Sequence, residues 1–121
     1  MKNGLRLGIG LLSTILVALF ICTTVNAREY SSVCANHILV PSEMDAIKLR
    51  SQIKSFDDFK YYARIYSSCP SSRNGGALGC FGRGQMVKPF EEAAFNGEIG
   101  EVSAPVKTQF GYHLIWVTRK F

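Results

Sequence analysis

The apolar positions of this chain change their spacing along its length, and each change predicts an element. Leu7 to Cys22 is a predominantly apolar run without charge, preceded by Lys2 and Arg6. Ala35 to Val40 is a shorter run, whose Ile38, Leu39 and Val40 suit a strand buried on both faces. Pro41 ends it. Ser42 and Asp45 give a helix start signal, and Ala46, Leu49 and Ile53 fall on one side of a helix reaching about Lys54. Ser55 and Asp58 repeat the signal and open a second helix with Phe56, Phe59, Ala63 and Tyr66 on its inner stripe. A short helical turn before Pro70 fits the pattern, and Ser71 to Asn74 reads as a polar surface loop. Gly75 and Gly76 turn the chain into a strand over Leu78 to Phe81, and Gly82-Arg83-Gly84 bends it again. Pro89 suits the first turn of a helix that carries Phe90, Ala93, Ala94 and Phe95 and stops at Gly97. Val102 to Lys107 reads as a strand that Pro105 confines to a sheet edge. Gln109 to Gly111 reverses the chain into a last strand, Tyr112 to Thr118, with His113, Ile115 and Val117 on one side and Tyr112, Leu114, Trp116 and Thr118 on the other. This order predicts an α+β fold: a mostly antiparallel four-stranded sheet wrapped by three to four helices.

The first apolar run changes the domain count. With basic residues before it and Val25-Asn26-Ala27 after it, residues 1–27 form the three parts of a secretory signal peptide. An uncleaved anchor is the competing reading, but the densest apolar stretch falls short of the ~20 residues of a membrane span. A lipid-anchored reading through Cys22 is opposed by Ile21, where a small residue belongs. Residues 28–34 are then a flexible mature terminus, and residues 35–121 are the single domain. Cleavage leaves 94 of the 121 residues and removes Lys2 and Arg6, so the net charge falls from +5 to +3. The remaining basic residues are scattered, which excludes a nucleic-acid patch. The leader implies export to a periplasm, a secretory lumen or the extracellular space, with no stable membrane contact after cleavage.

Candidate chemistry is sparse. Five glycines between positions 75 and 84 suggest a phosphate loop, yet Gly82-Arg83-Gly84 is followed by neither a third glycine nor Lys-Ser/Thr. Cys34, Cys69 and Cys80 remain in the mature chain. If the strands bearing Cys34 and Cys80 are neighbours, these two pair and Cys69 stays a free thiol. The two histidines, His37 and His113, sit inside apolar strands, where a lone histidine is usually a hydrogen-bonded core residue. A zinc site from His37, His113, Cys69 and Cys80 lacks tight ligand spacing, and Cys69 stands in no recognisable hydrolase motif.

Five short motifs in order give a further reading: His37-Ile38-Leu39-Val40, Cys69-Pro70-Ser71, Gly75 to Phe81, Arg83-Gly84-Gln85-Met86-Val87 with Pro89 to Phe95, and Thr108 to Ile115. Together they resemble the parvulin-type peptidyl-prolyl cis/trans isomerases over roughly residues 35 to 119. The resemblance implies a proline pocket of Leu78, Met86 and Phe90, and a polar floor of His37, Cys69, Thr108 and His113 hydrogen-bonded to one another. It also gives Gln85 a contact with substrate backbone. It implies catalysis without a covalent step, no metal or cofactor, and a monomer acting on proline-containing polypeptides. Phosphoprotein-directed members carry basic residues after the first strand; here Pro41 to Asp45 is acidic, so phosphoserine-proline is disfavoured. Val87 and the apolar pocket suit hydrophobic residues before proline. The alternative is a parvulin-like peptide-binding or chaperone module with weak or no catalysis.

Overall fold

The computed structural model describes residues 30–121. The expected leader and its expected cleavage site lie outside the described residues, within which no helix is long and apolar enough to cross a membrane.

Four strands form one sheet in the order β2-β1-β4-β3, with every strand pair antiparallel. The central pair is β1 (Ser32–Val40) and β4 (Gly111–Lys120), flanked by β2 (Ala77–Gly82) and the three-residue edge strand β3 (Val106–Thr108). Helices α1 (Glu43–Gln52) and α2 (Phe56–Tyr66) follow β1, and α3 (Lys88–Asn96) follows β2. The expected fold class is observed. Both helix start signals act as caps: Ser42 Oγ accepts the Asp45 N–H at 3.1 Å and Ser55 Oγ accepts the Asp58 N–H at 3.1 Å. Asp58 also reaches back to accept the Lys54 N–H at 2.9 Å.

The alternation read from β4 divides the core. Leu114, with Ile38 and Val40 of β1, packs on Ala46, Leu49, Ile53, Phe59 and Ala63 of the α1 and α2 layer. Ile115 and Val117, with Val33, Ala35 and Phe81, pack on Phe90, Ala94 and Phe95 of α3. The two central strands are therefore buried on both faces, as their continuous apolar character requires.

Four details differ from expectation. Strand β1 begins at Ser32, so the end of the segment expected to be flexible is paired: Ser31 and Ser32 N–H both reach the Phe121 carbonyl, at 3.0 and 2.8 Å, and Val33 is fully buried. Tyr66 is exposed; it lies at the end of α2 and stacks on Tyr62 instead of entering the core. The polar segment after Cys69 is a 3₁₀ helix, Pro70–Asn74, and not an irregular loop. The edge strand shrinks because Pro105 offers no N–H; Val102 bridges Trp116 alone, and regular pairing starts at Val106.

Cys34 and Cys80 stand opposite each other on β1 and β2 and form a disulfide, while Cys69 is free. The bond ties the edge strand that carries Leu78 to the centre of the sheet.

Candidate active site

Two close backbone approaches bring the site together. The Gly76 carbonyl accepts the His37 N–H at 2.9 Å, and a Cβ on Gly76 would collide with the His37 carbonyl. Gly111 has φ 138°, and a Cβ there would lie 2.6 Å from the Val40 carbonyl oxygen. Only glycine lets the 75–76 turn and the 109–111 turn press on either side of β1. A third suture joins β1 to the end of α2: the Ser68 N–H donates to the Leu39 carbonyl at 2.8 Å, and the Leu39 N–H donates to Ser67 Oγ at 3.0 Å.

Register then sets the histidines. His113 lies opposite Leu39, and His37 opposite Ile115, so the two imidazoles are diagonal neighbours on the α3 face. Their Nδ1 atoms are 3.0 Å apart in nearly parallel rings. Thr108 Oγ1 lies 2.8 Å from His113 Nε2, and Ser71 Oγ lies 3.1 Å from His37 Nε2. These contacts make one hydrogen-bonded chain, Thr108-His113-His37-Ser71. Burial, with the neighbouring His113 as a smaller cause, pushes His37 down to about 4, and burial also lowers His113. At neutral pH both rings are uncharged, and a single proton lies between the two Nδ1 atoms.

Two proton orders satisfy this chain. In one, the Thr108 hydroxyl donates to His113, His113 Nδ1–H to His37, and His37 Nε2–H to Ser71. In the other every donor is reversed. Thr108 Oγ1 accepts the Phe110 N–H at 3.2 Å in both.

Above this floor lies an open cavity of about 450 Å³. Leu39, Leu78, Met86, Val87, Phe90 and Phe110 supply its apolar wall. Phe90 is fixed between core and cavity, with its ring centroid 5.6 Å from that of His37 and 5.1 Å from that of His113, near perpendicular to both. Gln85 is on the rim; its Oε1 accepts the Gly82 N–H at 3.1 Å, which leaves the amide NH₂ to donate outward.

The residues expected from the sequence are thus brought together, with one difference in their connections. Cys69 lines the cavity, partly exposed, but forms no hydrogen bond to either histidine; Ser71 occupies the fourth place in the polar chain. Its approach depends on the 3₁₀ turn, which a polar run of Ser-Ser-Arg-Asn did not announce. Phe110 was also missed as a wall residue. No local signal marked it, since a lone exposed apolar side chain, here 60% exposed, is common on protein surfaces.

Comparison with known proteins agrees with this arrangement. Residues 37–119 match the rotamase family described as the PPIC-type PPIASE domain. Foldase protein PrsA of Geobacillus kaustophilus is 52% identical over 87 residues, which cover 71% of this chain and 31% of that protein. The crystal structure of the peptidylprolyl isomerase PrsA from Bacillus cereus superposes with a TM-score of 0.71 at 43% identity, covering 76% of this chain and 36% of that one. The solution structure of NmPin, the parvulin of Nitrosopumilus maritimus, gives 0.66 at 40% identity, covering 74% of this chain and 97% of that one. The chain spans only about 31% of the length of the PrsA relative. The match over residues 37–119 includes both histidines, the cavity wall and the whole α3 layer, and on that ground the chain belongs to the PPIC-type peptidyl-prolyl isomerases, the parvulins.

Proposed function

We propose that this chain is a peptidyl-prolyl cis/trans isomerase that assists the folding of exported polypeptides, binding the proline ring against Leu78, Met86 and Phe90. The observation that carries the reading is the apolar cavity directly above two neutral, mutually hydrogen-bonded imidazoles. Prolyl isomerisation needs no bond to be made or broken; its barrier of ~18–20 kcal/mol comes from amide resonance. A planar amide is more charge-separated than a twisted one and is better solvated by water. A cavity that removes water while gripping the ring therefore favours the twisted form over both planar forms. Each ~1.4 kcal/mol of that preference accelerates the reaction tenfold.

The polar chain fixes the floor without placing a charge beneath the amide. Its two proton orders leave a free hydroxyl at one end or the other, Ser71 or Thr108, as a hydrogen-bond donor for a carbonyl that has lost conjugation. Cys69 contributes wall and polarity and does not attack. The outward NH₂ of Gln85 offers a donor to substrate backbone.

None of the cavity-lining side chains is a lysine, arginine, aspartate or glutamate, and Glu43 and Asp45 occupy the first turn after β1. Both features favour an apolar residue before proline and disfavour phosphoserine. Export is supported by the leader and by the Cys34–Cys80 disulfide, since such bonds persist in oxidising compartments.

The test is an isomerisation assay on peptides that differ only in the residue before proline. Acceleration should be greatest with Leu, Met or Phe, at least tenfold weaker with Glu, and weakest with phosphoserine. Acceleration that is equal for all residues, or greatest for phosphoserine, would refute the assigned specificity. No acceleration by folded protein would instead make it a peptide-binding module.

A further inference from the structure

Glu91 is a charged side chain that the isomerisation scheme does not use, yet it is only 6% exposed. A carboxylate this buried must recover its lost hydration through nearby donors. It does so on the loop that joins β2 to α3. Its Oε1 accepts the Gly84 N–H at 2.5 Å, and its Oε2 lies 3.8 Å from Arg83 Nη1. The Arg83 guanidinium in turn lies over the Phe95 ring, 4.2 Å from its centroid. Gly82, at the other end of the same turn, is held by Gln85 Oε1.

The clamped turn leads straight into the cavity wall. Gln85, Met86 and Val87 follow Gly84 without an intervening element, and Phe90 adjoins Glu91 on α3. Met86 is also the residue of this turn that packs on the α3 core. Between Gly84 and Lys88, no sheet pairing holds the backbone, so the height of the Met86 wall above the histidines depends on the side chains that grip the turn.

We propose that Glu91 is a positioning residue for the proline pocket: through Gly84 N–H it sets where Met86 stands relative to Phe90. The inference rests on the isomerase reading and adds a residue that touches no substrate. Its effect is a short, directed hydrogen bond to backbone, so an amide oxygen in the same place keeps the bond at roughly half its strength, whereas a methyl group cannot form it. Arg83 balances the charge from a largely exposed position and matters less.

The experiment compares Glu91→Ala, Glu91→Gln, Met86→Ala and the exposed neighbour Glu92→Ala in the full chain, each assayed where unfolding is negligible. Two readouts are taken: isomerisation of a Leu-Pro peptide per folded molecule, and the methyl NMR signals of the methionines. Glu91→Ala should lower kcat/KM about tenfold and shift the Met86 methyl signal while the Met44 signal stays in place. Glu91→Gln should restore activity to within about threefold of the parent, and Glu92→Ala should match the parent. A Glu91→Ala protein that melts lower but keeps parental activity and an unshifted Met86 signal overturns the proposal. So does a Glu91→Gln loss as deep as that of Glu91→Ala. If Met86→Ala itself loses no activity, the pocket assignment fails and the positioning role fails with it; a loss in Met86→Ala without one in Glu91→Ala sinks the positioning role alone.

Discussion

The two faces of the sheet bury comparable sets of apolar side chains but end differently at the surface. On one face α1 and α2 lay two helices across β1 and β4, and Phe59, Ala46 and Ala63 are sealed without exposure. On the other, the single nine-residue helix α3 covers Val33, Ala35, Ile115 and Val117 and meets His37 and His113 through the one ring of Phe90. The uncovered remainder is the cavity. The site is thus a place where one layer is incomplete, floored by strand residues that would otherwise be core, and walled by loops that glycine lets press close. This division teaches that stability and chemistry are separable: the doubly covered face should carry folding energy, and the open end of the other should carry turnover.

The largest expected effect lies on the closed face. Phe59→Ala removes a ring of 0% exposure, and should cost about 3–5 kcal/mol in urea unfolding. A loss below ~1 kcal/mol would show that this face is not the main reserve of stability. Next comes the disulfide, which closes a loop of 46 residues containing α1, α2 and the 3₁₀ turn. Its reduction should lower stability by about 2–4 kcal/mol, read by the same unfolding curves, while activity per folded molecule stays within threefold. A selective loss of activity would mean that the bond shapes the cavity more than it holds the fold.

A third effect is pH-dependent. His37 has a folded value of about 4 against 6.5 in an unfolded chain. Below pH 6.5 the unfolded chain gains a proton that the folded protein refuses, so stability falls from about pH 6.5 down to about 4, and this contribution is flat below that. The loss is on the order of 3 kcal/mol for this group. Activity should behave differently as far as His37 sets the floor, staying level to about pH 5 because that ring remains neutral in the folded protein. With two histidines in the whole chain, ring NMR titration reads both directly. A His37 signal that titrates near 6.5 in the folded protein would remove the neutral floor from the account. The smallest effect is that of Cys69→Ala, which should retain at least a tenth of parental kcat/KM, since the thiol forms no bond to the polar chain. A complete loss would reinstate an obligatory thiol.

Much of this was legible in the sequence. Helical spacing with serine caps located α1 and α2, and strict alternation in Tyr112 to Thr118 assigned each side chain of β4 to its face. Motif order supplied the cavity wall of Leu78, Met86 and Phe90. What escaped depends on contacts distant in sequence. Ser32 pairs with Phe121, 89 positions away, so nothing local marks it as strand. Ser71 reaches His37 only because a polar run folds into a 3₁₀ turn, and Glu91 looks like any acidic residue in a first helical turn until Gly84 is found beneath it. Tyr66 failed in the opposite sense, since it keeps the helical phase of Phe59 and Ala63 but, as the last residue of α2, stays 54% exposed.

The most direct test of this division compares one variant from each face. Cis/trans exchange of a Leu-Pro peptide, measured by NMR per folded molecule, would be set against urea stability for Met86→Ala and for the milder core change Phe59→Leu. The account predicts that Met86→Ala slows exchange about 10- to 100-fold with a stability loss under ~1.5 kcal/mol, and that Phe59→Leu is destabilised more yet exchanges within threefold of the parent. Parental exchange in Met86→Ala, or a loss in Phe59→Leu as deep as the one expected of Met86→Ala, would contradict it.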